Sequence, residues 1–133
     1  MLPVAKVLGP GFREAGYRRA LDKEPDGGGD GMFFVDISGG GQGRPFWGAG
    51  GTIRNLNVTV IVRYFRTADR RGTHRIAADD MTRLGDVCAN PDNYDPQVTG
   101  IRSVRFLGAS RALDLPRSEI WEARFEVEWQ RLA

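Results

Sequence analysis

The sequence has one cysteine, Cys88, and one histidine, His74. A lone cysteine excludes an intrachain disulfide and suits a reducing compartment. One thiol and one imidazole also fall short of the ligand set of a structural or catalytic zinc site. Lysine is nearly missing: Lys6 and Lys23 stand alone among 19 basic residues, and arginine carries the rest of the positive charge. Such a bias serves recognition of phosphates or carboxylates, or follows from a GC-rich genome. No excess of one sign accumulates, because 17 acids bring the net charge to only +2. No apolar run approaches the roughly 20 residues that span a bilayer, and no signal-peptide pattern opens the chain. What remains is a chain of 133 residues with ordinary hydrophobic content, 41%. A single domain of that length buries roughly two-thirds of its unfolded surface, enough for a real core.

The clearest pattern lies near the end. From Trp121 every second residue is apolar (Trp121, Ala123, Phe125, Val127, Trp129), and Glu122, Arg124, Glu126, Glu128 and Gln130 stand between them. A period of two predicts a strand with one dry and one wet face. A helix would align Trp121, Phe125 and Trp129 but send Ala123 and Val127 to the opposite side. Leu56 to Phe65 repeats the pattern, with Leu56, Val58, Val60, Val62 and Tyr64 on one face. Ile61 and Phe65 leave the second face only partly polar.

The rest of the chain is weaker in signal. Residues 1–11 have little pattern, and Phe12 to Lys23 predicts a short helix with Phe12, Ala15, Ala20 and Leu21 as its stripe. Met32 to Ser38 reads as a strand between glycines. Gly39 to Gly51 holds seven glycines around Arg44-Pro45-Phe46-Trp47 and predicts a long loop. A loop that cannot pack on itself is functional or waits for a partner. Arg44, Phe46 and Trp47 are therefore candidates for an intermolecular contact. A helix is expected from Thr73 or Ala77 to Ala89, with Asp79 and Asp80 near its start and Asn90-Pro91 closing it. Ile101 to Ala109 predicts another strand, and a proline-containing turn over 113–118 leads into the last. The order points to one α+β domain over residues 1–133. Its mainly antiparallel sheet of about four strands packs against two helices, with a long glycine-rich loop at 39–51.

Reactive constellations are scarce. His74 and Cys88 are a conceivable dyad, but Cys88 falls on the apolar helix face, where a small buried hydrophobe is the common outcome. The glycine-rich stretches lack the Lys-Ser/Thr of a P-loop, and they connect to strands instead of opening a helix as a dinucleotide fingerprint does. Asp22-x-Glu24-x-Asp26-Gly27 echoes a calcium loop, yet Phe33 stands where its last glutamate belongs and Pro25 interrupts it. Glu122, Glu126 and Glu128 share a strand face with Arg124, which suits salt bridging better than acid–base catalysis. The arginines are dispersed and no nucleic-acid-binding motif appears. The expectation is a protein without catalytic residues, metal or cofactor.

Three stretches together resemble the tail terminator (tail-to-head joining) proteins of long-tailed bacteriophages and gene-transfer particles. They are Leu56-Asn-Val-Thr-Val-Ile-Val-Arg-Tyr-Phe65, the helix around Asp79-Asp-Met-Thr-Arg-Leu84, and Ile101-Arg-Ser-Val-Arg-Phe106 followed by Trp121-Glu-Ala-Arg-Phe-Glu-Val-Glu-Trp129. The resemblance spans roughly residues 12–131 in order and spacing. It is one of pattern, without a diagnostic residue, and the glycine-rich stretch 39–51 departs from compact members. The resemblance implies a virion protein, made in the bacterial host cytoplasm, that forms a homo-oligomeric ring, usually a hexamer. The ring would cap the tail tube protein, end tube polymerisation, and meet the head or neck connector. DNA would pass through its lumen unread. On this view Arg44, Phe46 and Trp47 order on docking, and Glu122, Glu126 and Glu128 face the lumen. Alternatives are another neck or tail subunit (head completion or tail tube), a small-ligand or nucleic-acid-binding module, and, third, an enzyme.

Overall fold

The computed structural model describes residues 2–9, 11–16, 21, 31–46, 51–65 and 70–130, with backbone alone at 39–46, 51–53, 70 and 71. Five strands form one mixed sheet: β1 (Phe12–Glu14), β2 (Gly31–Phe46), β3 (Gly51–Phe65), β4 (Ile101–Asp114) and β5 (Ser118–Gln130). Their order across the sheet is β1-β2-β3-β5-β4. Only β1 and β2 are parallel; every other pair is antiparallel. Three helices accompany the sheet among the described residues: α1 (Val4–Leu8), α2 (Arg70–Cys88) and α3 (Pro96–Thr99). The α+β class with a mainly antiparallel sheet is therefore correct. Among the described residues no helix is long and apolar enough to cross a membrane.

The period-two rows meet as their spacing requires. In the β3–β5 ladder Val62 faces Trp121, Val60 faces Ala123, Val58 faces Phe125 and Leu56 faces Val127. Val58, Val60, Val62, Ala123 and Val127 are fully buried, and Phe125 nearly so. Each large side chain taken out of water here contributes about 1.5–3 kcal/mol. Helix α2 covers this face with Ala77, Met81, Leu84 and Cys88, and α1 packs against α2. Gly85 lets the helix approach β4, because a Cβ at that position would lie 2.7 Å from the Phe106 ring. Gly85→Leu is expected to lose about 1–3 kcal/mol through overpacking, in spite of better helix propensity. The same change in a Phe106→Ala background should cost clearly less; equal costs in urea titrations would show that the contact is not the cause.

Two expectations fail, each for a physical reason. The helix expected over 12–23 is not formed at its start. Phe12–Glu14 pairs with Gly31–Phe33 as β1, and the Ala15 amide donates to the Phe33 carbonyl at 2.7 Å. The supposed stripe serves both faces of the sheet: Phe12 meets Tyr64 edge-on at 5.3 Å on the α2 side. Ala15 and Leu21 instead bury against Ile61 and Ile120 on the other side. No single helix face can do both. Residues 17–20, 22 and 23 lie outside the described residues. The short helix α1 went unread although Val4, Val7 and Leu8 have i, i+3, i+4 spacing and are buried.

The loop expected over 39–51 is largely a β-ribbon. The β2 and β3 backbones pair at Gly39↔Leu56, Gln42↔Arg54, Pro45↔Thr52 and Phe46↔Gly51, with register shifts on either side of Gln42. Ladder bonds come from backbone, which glycine supplies as well as any residue, and the absent side-chain pattern hid the strand. The shifts are bulges of the kind glycine accommodates. Residues 47–50 lie outside the described residues. Strand β4 also runs past the expected Ala109 to Asp114, with three register shifts against β5.

Helix α2 ends without a glycine cap. Asn93 Nδ2 donates to the Val87 carbonyl at 2.6 Å, which also accepts from the Asn90 amide. Tyr94 Oη donates to the Cys88 carbonyl at 2.6 Å, so side chains help satisfy the carbonyls at the helix end. Gly100, at φ 75, then turns α3 into β4; a Cβ there would meet the Gln130 carbonyl oxygen at 2.5 Å.

Candidate interaction surfaces

Glu122, Glu126 and Glu128 do fall on one face, the side of the sheet that α2 leaves uncovered, and all three are half-buried. Register sets their neighbours. On β3 they are Ile61, Asn57 and Asn55, and on β4 Ser110, Arg105 and Ser103. Arg105 Nη2 donates to Glu126 Oε1 at 3.2 Å, with most of the guanidinium in water. Such an exposed pair contributes little to stability, about 0–1 kcal/mol, but fixes the side chains in a row. Arg124 projects from the middle of the row. Arg63 has the same strand parity as Ile61 and Asn57 but is buried, and it donates to the Leu21 carbonyl near the second apolar cluster. The surface is thus a cross-strand row of acids, arginines and small polar residues that borders the second apolar cluster at Ile61, without a carboxylate pair in contrasting environments.

Arg44 and Phe46 lie on the ribbon arm of β2, and Trp47 falls outside the described residues. Among the described residues the β3–β5 ladder runs to Ile53↔Gln130, and β2 and β3 are paired as far as Phe46↔Gly51. This β2–β3 ribbon adjoins the described end of β5, and residues 131–133 lie outside the described residues. Of the three glutamates, Glu128, opposite Asn55, is nearest to it in register.

A third polar group was not anticipated. Glu119 is 1% exposed although it is a carboxylate. Arg111 Nη1 donates to its Oε1 at 3.2 Å, and His74 Nδ1 lies 3.5 Å from the same oxygen. Its Oε2 has no hydrogen-bond partner among the described residues, and neither has Trp121 Nε1. The His74 ring stands edge-on to Trp121 at 5.1 Å, closing the cluster. One turn and a half along α2, Asp80 accepts a hydrogen bond from Tyr64 Oη at 2.9 Å. Asp79 and Asp80 were expected to favour a helix N-terminus, but α2 begins at Arg70 and places both in its middle. The parity of β5 carried the missing signal: Glu119 belongs to the odd-numbered row that includes Trp121 and Phe125.

The possible His74–Cys88 dyad does not form. Fourteen positions on one helix separate the two by about 21 Å along its axis. Burial also pushes the Cys88 thiol up to about 11, so it stays protonated at neutral pH. Tyr64 is raised further, first by burial, then by the Asp80 charge and the hydrogen bond to it. Tyr94 is raised mainly by burial. These protons are held more tightly in the folded chain than in the unfolded one. Their stabilisation is complete below the unfolded values, roughly 8.5 for the thiol and 10 for phenols, and is lost as pH rises through the higher folded values. The urea midpoint is expected to fall steadily above about pH 9. Tyr64→Phe should reduce the slope above about pH 10 by up to 1.4 kcal/mol per pH unit; an unchanged slope would remove Tyr64 from the explanation.

Among the described residues no group of three or more His, Cys, Asp or Glu side chains could hold a metal ion. Compared with protein-family models and with curated protein sequences, the chain matches none.

Proposed function

We propose that this chain is a structural subunit that packs side by side with copies of itself in a ring, as a tail terminator at the junction of a phage-like tail and its head. The observation that carries the reading is the asymmetry of the sheet. Helix α2 covers one face, the other carries a charged row beside a smaller apolar cluster, and the two edges are unlike strands, β1–β2 and β4. Unlike edges suit head-to-tail contacts, which close by rotation into a ring. The uncovered face, with Glu122, Glu126 and Glu128, would line the lumen and repel passing DNA phosphates. The ribbon arm with Arg44 and Phe46, together with Trp47, which follows it in sequence, would contact the tail tube or a neighbouring subunit, and arginine–carboxylate complementarity would set its register.

Solution mass and negative-stain imaging, alone and with tail tubes, test this. A closed ring on tube ends is expected. The double variant Phe46→Ala/Trp47→Ala should keep the circular dichroism and urea midpoint of the parent while losing most tube-end occupancy. Long stacks of the parent protein would assign it to the tube itself. A parent that stays monomeric with and without tubes would sink the proposal, as would undiminished occupancy by the double variant for the arm's role.

A further inference from the structure

We draw no further inference here: the strongest candidate, the His74–Glu119–Arg111 cluster between the first turns of α2 and strands β4 and β5, carries none, because Glu119 and Trp121 are sealed under the helix and nothing in the structure shows what would reach them.

Discussion

Removing the Arg111 guanidinium is expected to destabilise the protein by about 2–4 kcal/mol, an unusually large loss for an arginine on an edge strand. The reason lies in its partner. The Glu119 side chain is 1% exposed, and a carboxylate sealed from water without its counter-charge is among the costliest defects a fold can carry. The Arg111 side chain is itself 39% exposed, so water can soften the loss and the upper part of the usual range is not expected. His74 is too far for a strong hydrogen bond at 3.5 Å and is half exposed. It replaces little of what Arg111 supplies. Arg111→Ala should therefore shift the urea midpoint sharply at neutral pH. Glu119→Gln, which removes the charge and keeps the shape, should relieve most of the damage in the double variant. Additive losses, or a single-variant loss under about 0.5 kcal/mol, would mean that the contact behaves as an ordinary surface pair.

Phe125→Ala should cost still more, about 3–5 kcal/mol. Phe125 is 1% exposed at the middle of β5, opposite Val58 on one side and Phe106 on the other. Its ring lies 5.2 Å from that of Phe106, tilted by 42°. Strands pair on both flanks and α2 lies above, so the backbone has little room to collapse into the space left behind. Phe106→Ala gives the internal comparison. That side chain is on an edge strand and only half-buried, so its loss should be markedly smaller. A cost below about 1 kcal/mol for Phe125→Ala would contradict the packing described, whatever Phe106→Ala does.

These two positions also mark where sequence reading succeeds and fails. Phe125 was legible because period two is a direct image of the pleat: the sequence of β5 lists the core and the wet face in alternation. Strand β3 was legible for the same reason. On α2 the spacing of Met81, Leu84 and Cys88 marked the dry side, whereas Ile76, which the spacing groups with them, is exposed and Ala77 takes its place in the core. Glu119 shares the parity of Phe125 but has the chemistry of the opposite face. Its burial depends on Arg111 from another strand, and no local pattern records that pairing. The segment after Phe12 misled because its apolar residues serve opposite faces of the sheet. The ribbon of residues 39–46 was hidden because glycines leave no side-chain record of a backbone ladder. Of the interaction surfaces, the glutamate row followed from strand parity, whereas the pairing of Gly39–Phe46 with β3 left no side-chain pattern to read.

The partnership between β3 and β5 has a consequence for how the chain is made. These central strands are neighbours in space, yet α2, α3 and β4 all lie between them in sequence. Closing so distant a pairing is entropically slow, and it must await synthesis of the later strand. During translation Val58, Val60 and Val62 therefore lack their lateral partner strand even after α2, which covers their face, has been made, and such incomplete sheets are what chaperones hold. Emergence of β5 from the ribosome is the event that lets the middle of this sheet zip shut.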